Sequence, residues 1–357
     1  MDGKAMKKRR GLFKGVLFFL MVGASFAFVA SAAYAGDGYD KYREVFEPLQ
    51  AIPPIPADNQ ITPEKVQLGK MLYWDRRTSK TGATSCGFCH HPAYYGAEPM
   101  RKSVGINGDI HKRNAQTILN AAFLERQFWA GESKDLEEQA LGAIKSHVAS
   151  RSWPKEVAER LNRQPEYRDL SIKVYGEPLT EENIGKSIAT FVRTLTTPNY
   201  PLARWLNGDE NAMTEQQKRG MALFADKGCI ACHAGPNFSN SSYQKIIVPG
   251  GEGDFGLYER TKEEGDKYRF KVPSLLNVAQ TAPYTHKGTV NDLPSMVRLM
   301  GREMLKTELK DDEVEDIVAF LHSLTGEMPQ HFLVLPVLPT GGGEGDFGPD
   351  LLPSGKN

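Results

Sequence analysis

The chain has four cysteines, and they fall into two pentapeptides of one pattern. Cys86-Gly87-Phe88-Cys89-His90 and Cys229-Ile230-Ala231-Cys232-His233 both read C-x-x-C-H. That spacing suits covalent attachment of a c-type haem. Two thiols on one turn reach the two vinyl groups of a porphyrin, and the histidine that follows offers an imidazole to the iron. A C-x-x-C pair can also bind zinc or act as a redox dithiol. Two copies that use up every cysteine favour haem. The expected cofactors are therefore two covalently bound c-type haems, held by Cys86, Cys89 and His90 and by Cys229, Cys232 and His233. No thiol is then left for a disulfide.

The segments before the two pentapeptides are also alike. Leu68-Gly69-Lys70-Met71-Leu72-Tyr73 precedes the first and Arg219-Gly220-Met221-Ala222-Leu223-Phe224 the second, each with a glycine four residues before an aromatic. A glycine lets two helix backbones approach closely, and a ring can pack beside the crossing, near a haem edge. Thr62-Pro63 and the capping box Thr214-x-x-Gln217 mark where these helices start. The pattern predicts a duplicated haem domain with divergent loops. Further helices are expected over 180–195, with Ile184, Ile188, Phe191, Val192 and Leu195 on one face, and over 311–324, with Val314, Ile317, Val318 and Leu321. Weaker patterns cover 136–144 and 157–161. The fold class expected is all-α and loop-rich. Pro198, Pro201, Asn207 and Gly208 punctuate the chain between the haem units, so the expected domains are residues 36–205 and 206–330. Residues 331–357 read as a Gly/Pro-rich tail that lies over the surface or is mobile. The heptapeptide GGEGDFG occurs at 250–256 and again at 342–348, with no function assigned.

The 357 residues carry 44 basic and 44 acidic side chains. Lys4, Lys7, Lys8, Arg9, Arg10 and Lys14 precede an apolar run from Val16 to Ala33, which ends in Ala33-Tyr34-Ala35. This is the order of a cleaved secretory signal peptide, over residues 1–35; an uncleaved anchor is the competing reading. The remainder has 38 basic and 43 acidic residues, a net charge of −5. Such a chain suits a basic protein partner and is not the composition of a nucleic-acid binder.

Residues 68–144 resemble the bacterial di-haem cytochrome c peroxidases and their MauG-type relatives. The matching segments are LGKMLYWD (68–75), SCGFCHHP (85–92), SVG (103–105), RNAQTILNAAF (113–123), QFWAGE (127–132) and LEEQALGAI (136–144). RGMALFADKGCIACH (219–233), TAPYTHKG (281–288) and EDIVAFLHSLTGE (315–327) extend the resemblance over about 42–328. It implies two cytochrome c-like domains with a calcium site at their interface. It implies a periplasmic enzyme that reduces hydrogen peroxide to water with electrons from a small c-type cytochrome, and it allows a homodimer. His90 would be the proximal ligand of the peroxide-binding haem. His233 would hold the electron-transfer haem, with Met300 opposite. The MauG branch has tyrosine at that position. A thioether raises the iron potential and suits an electron acceptor, although Met296, Met300 and Met304 also read as a helical core stripe. Trp129 matches an electron relay between the haems, and Gln139 marks the glutamine segment of the peroxide site. Asn114, Thr281 and Pro283 match the calcium ligands, an amide and backbone carbonyls suited to a hard cation. His286 matches a hydrogen-bonding histidine near the second haem or the calcium.

Three departures stand out. The family glutamate expected ten residues after Gln139 is Ala149, which cannot move a proton. His147, two residues away, is either a proton carrier that replaces it or a surface histidine on a helix end. The histidine that often caps the first iron is Ile106, which leaves that iron five-coordinate or water-bound unless His111 reaches it. Trp129 is followed by Ala130-Gly131-Glu132 where the family has Asp-Gly-Arg. A MauG-like enzyme that oxidises residues of a protein substrate, and an electron carrier without peroxide chemistry, are the alternative functions.

Overall fold

A computed structural model describes residues 38–339. The segments 1–35 and 342–348 lie outside the described residues. The first half carries α1 (Pro63–Trp74), α2 (Cys86–Cys89), α3 (Leu136–Lys145), α4 (Pro154–Leu161), α5 (Pro165–Tyr175) and α6 (Glu181–Arg193). The second carries α7 (Pro201–Leu206), α8 (Glu215–Asp226), α9 (Tyr258–Thr261), α10 (Leu293–Met300) and α11 (Asp311–His322), and α12 (Gln330–Leu333) follows. The short strands β1 (Tyr243–Lys245) and β2 (Arg269–Lys271) pair antiparallel, with Tyr243 opposite Lys271.

Helix starts follow the cap chemistry. Thr62 Oγ1 accepts from the Lys65 N–H at 3.2 Å. Thr214 and Gln217 form the reciprocal box, with bonds of 3.2 and 2.9 Å. Thr180 does the same with Asn183 before α6. Several helices were not foreseen, α5 and α7 among them. α5 starts on Pro165 and stops at Gly176, whose φ of +78° ends the helix. Pro201, expected to punctuate a boundary, is instead the first residue of α7, where its missing N–H is harmless.

The two glycines do what their positions suggested. A Cβ on Gly69 would lie 1.9 Å from the Ser187 carbonyl oxygen and 2.9 Å from the Phe191 Cβ, so α1 crosses α6 there in backbone contact. A Cβ on Gly220 would lie 1.8 Å from the Asp316 carbonyl oxygen and 2.9 Å from the Phe320 Cβ, where α8 crosses α11. The aromatic four residues on packs beside each crossing. Tyr73 meets Phe191 and Phe224 meets Phe320, both with ring centroids 5.2 Å apart.

Each half has its own core, but the chain ends are exchanged. Tyr42, Phe46 and Leu49, N-terminal in sequence, pack into the second core with Phe224, Phe238 and Phe320. Phe332, from the expected surface tail, is fully buried in the first core against Tyr73, Trp74 and Phe191. The reading of 331 onward as surface tail is corrected to that extent. Composition marked the Gly/Pro content but not one buried phenylalanine, whose burial stabilises the fold by roughly 2–3 kcal/mol.

Candidate functional site

Both pentapeptides close in the same way. The His90 N–H donates to the Cys86 carbonyl and the His233 N–H to the Cys229 carbonyl, each at 3.0 Å. Each imidazole then turns its Nδ1 onto a loop carbonyl: His90 to Gly96 and His233 to Phe238, both at 3.0 Å. A carbonyl can only accept, so Nδ1 carries the proton and Nε2 keeps its lone pair. Burial pushes both histidines down from the usual imidazole value, which keeps them neutral. These are the requirements for an iron ligand, and the residues fit a haem in each half.

The alternatives for the cysteines fare less well. Burial pushes the Cys86 thiol up to about 12 and Cys89 and Cys229 up to about 11. A redox dithiol needs the opposite shift. Among the described residues no group of three or more His, Cys, Asp or Glu side chains is arranged to hold a metal ion, so zinc would lack ligands.

Local packing fixes each motif. A Cβ on Gly87 would lie 2.4 Å from the Trp74 ring, so only glycine lets the first pentapeptide lie against α1. The Tyr73 hydroxyl donates to the His90 carbonyl at 2.5 Å. In the second half the Phe224 ring stands 6.4 Å from the His233 ring.

Residues 103–111 form a tight hairpin. The Gly105 N–H donates to Asp109 at 2.8 Å, the His111 N–H to Ser103 at 2.9 Å, and Asn107 and Gly108 take φ of +59° and +80°. Ile106 is fully buried, and its N–H donates to the Val148 carbonyl at 3.0 Å. The Thr84 hydroxyl holds the Ala149 carbonyl at 2.7 Å. His147 is therefore on a pinned segment, yet its side chain is exposed. His111 is half-buried at the hairpin base, and its charge is felt by His90. Gln139 is half-buried on α3.

Met300 is the last residue of α10, and a π-turn, Gly301–Leu305, follows. The π-turn breaks the expected methionine stripe. Met296 packs on the second core, Met300 is half-buried, and Met304 falls inside the turn and off the α-helical register. Single π-turns are frequent at functional positions.

Trp129 joins the halves. Its Nε1–H donates to the Asn114 carbonyl at 2.9 Å, and its own carbonyl accepts from the Lys271 N–H on β2 at 2.9 Å. The Asn114 N–H donates to the His286 carbonyl at 2.9 Å, which brings Asn114 against the loop that carries Thr281 and Pro283. His286 is buried, stacks on Phe270 at 3.8 Å and turns an edge to Trp129; burial pushes its pKa down to about 4.

Sequence reasoning missed the ion cluster beside this junction. Asp254 is fully buried in the first GGEGDFG loop. It accepts from Arg113 Nε at 2.9 Å, Arg113 Nη2 at 2.7 Å and Lys287 Nζ at 2.8 Å. Burial alone would raise its carboxyl, but these cations and the Gly256 N–H hold it well below the usual carboxylate range. Glu132, at the altered position after Trp129, pairs with Arg113. The partners are 141 residues apart in the chain, so no local signal could join them.

Comparison with known proteins agrees with this geometry. The di-haem cytochrome c peroxidase family matches residues 63–211 and the cytochrome c family residues 217–325. The chain is 37% identical to the cytochrome c551 peroxidase of Pseudomonas aeruginosa, over 88% of this chain and 93% of that protein. It is 32% identical to the methylamine utilization protein MauG of Methylophilus methylotrophus, over 80% and 89%. A solved MauG-like protein associated with microbial copper homeostasis shares the fold, with a TM-score of 0.70 and 24% identity over 80% of this chain and 95% of that one. With two cytochrome c-like halves, each presenting a neutral histidine held by its Nδ1, the chain belongs to the di-haem cytochrome c peroxidase family.

Proposed function

We propose that this protein is a periplasmic cytochrome c peroxidase. It reduces hydrogen peroxide to two waters, taking two protons from solvent and two electrons from a small c-type cytochrome. The observation that carries this reading is the asymmetry of the two halves. The second offers Met300 at a π-turn, where a thioether would hold an electron-accepting iron. The first offers buried Ile106 and no thioether in the matching loop, which would leave an iron site free for peroxide.

When bound, the two haems, attached through Cys86 and Cys89 and through Cys229 and Cys232, supply the iron that cleaves peroxide and the iron that receives electrons. The chain's own residues do the rest. His90 and His233 present Nε2 because a carbonyl holds each Nδ1. Splitting the O–O bond requires a proton to leave one oxygen and reach the other. Ala149 cannot carry it, so His147 takes that part, with Gln139 orienting peroxide. Trp129 bridges the halves through bonds at both ends and relays electrons. Asn114, Thr281 and Pro283 would hold one calcium ion through oxygen atoms, bracing the junction. Residues 1–35 direct export and are removed.

A second reading has a specific observation behind it: no carboxylate stands at position 149, and MauG is itself a relative. One experiment separates the two. Peroxide turnover is measured with reduced small cytochrome c and calcium, before and after partial reduction of the protein. Turnover in both states is expected. Peroxide consumption only when a protein substrate is added would instead establish MauG-like chemistry, and no consumption at all would leave an electron carrier.

A further inference from the structure

Lys271 is 1% exposed, and its ammonium nitrogen has no hydrogen-bond partner among the described residues. A buried, unpaired ammonium costs several kcal/mol, so this group calls for an anion. Burial pushes its pKa down to about 8. The acid whose charge it feels is Glu132, already bonded to Arg113 and to the Ala130 N–H.

The surroundings of Lys271 say which anion. Its backbone is locked to the second haem motif. Tyr243 pairs across from it, and the next residue, Val272, donates to the Ser242 carbonyl at 2.9 Å and accepts from Ser239 Oγ at 2.6 Å. The Asn240 N–H in turn donates to the Cys232 carbonyl at 3.1 Å. The backbone of Pro273, two residues on, lies beside the His233 ring. On the other side, the Lys271 N–H holds the Trp129 carbonyl. A haem attached at Cys229 and Cys232 brings two carboxylates on the porphyrin edge away from the thioethers. They are the anions that the proposed cofactor must place in this half, and they need a cation that water does not already satisfy.

We propose that Lys271 binds a propionate carboxylate of the second haem and so fixes that haem's edge beside Trp129. The inference rests on the di-haem reading. Neutralising a haem carboxylate disfavours the ferric state, so Lys271 also raises that haem's potential.

The test uses the intact two-haem protein. Haem content is measured first: fewer than two covalent haems per chain would defeat the di-haem reading rather than this assignment. Lys271→Met, Lys271→Arg and Glu132→Gln are then compared by spectroelectrochemical titration and resonance Raman spectroscopy. Lys271→Met should lower one of the two midpoint potentials, leave the other in place and shift a propionate bending mode. Lys271→Arg should retain the potential while moving that mode, because the charge stays and the hydrogen-bond geometry changes. Unchanged potentials and Raman modes in Lys271→Met would overturn the assignment. Glu132→Gln removes a negative charge, so it should lower neither potential and leave the propionate mode in place; a propionate mode moved by Glu132→Gln as far as by Lys271→Met would also overturn the assignment. If Lys271→Met fails to mature, Lys271→Arg decides alone, and an unmoved propionate mode counts against the proposal.

Discussion

The two halves use the same parts around the C-x-x-C-H turn, the proximal parts, and different parts in the loops that the proposed function sets across from it. Each has a glycine crossing, an aromatic four residues on, a C-x-x-C-H turn and an imidazole whose Nδ1 is given to a carbonyl. Elsewhere they differ: the first half has a hairpin around Ile106 and the second α10 with a π-turn at Met300. The proximal parts present a metal ligand, a task common to both halves. In the proposed function the hairpin and the π-turn decide what else reaches each metal, and there the two halves differ.

The largest test of this equivalence concerns the exchanged phenylalanines. Phe46→Ala and Phe332→Ala should each destabilise the protein by about 3–5 kcal/mol. Hydrogen exchange should place the loss in the second half for Phe46 and in the first for Phe332. Loss confined to the half nearest in sequence would break the exchange.

Asp254→Asn leaves Arg113 and Lys287 without their buried carboxylate and should destabilise by about 3–5 kcal/mol. The sign with pH follows from its depressed pKa. Its stabilisation is complete above the unfolded carboxyl value of about 3.9 and is lost as pH falls toward the lower folded value. Thermal midpoints from neutral pH downward should therefore converge for wild type and variant in acid; parallel curves would show that Asp254 is not held as an anion.

Gly69→Ala and Gly220→Ala put a methyl into a facing carbonyl. Each should destabilise by about 3 kcal/mol, and by similar amounts, measured by chemical denaturation. A large difference would mean that only one crossing is tight.

The smallest effect sharpens the contrast between the opposite sides. His147→Ala should lower peroxide turnover by about a hundredfold, a loss of about 2.7 kcal/mol in transition-state stabilisation, with both haem spectra unchanged. Unaltered turnover would remove His147 from proton transfer, and its exposure would then describe a surface residue.

The proximal parts were legible in the sequence because each is local. A C-x-x-C-H turn, a glycine four residues before a ring and a Thr-x-x-Gln box are all set within one or two helical turns. Gly69 and Gly220 were readable as crossings without knowing their partners. What resisted reading depends on distant pairing. Asp254 sits in a low-complexity loop, and its value lies in Arg113. Lys271 looks like an ordinary strand lysine until β1, Trp129 and Val272 surround it. Phe332 follows Pro329 and precedes two more prolines, so composition pointed outward while the aromatic cluster drew it in. The π-turn after Met300 has no sequence signature, since Gly301 is equally common at helix ends.

The exchange of ends also has a meaning in time. Residues 86–90 leave the ribosome long before Phe332, so the first core lacks its last ring throughout most of synthesis. The second is the reverse: Phe46 is waiting before α8 and α11 exist. The first C-x-x-C-H turn thus stays on an unfinished half, while the second is made into a half that closes as soon as α11 arrives. A chain cut between residues 205 and 206 would leave each fragment without the ring that the other carries.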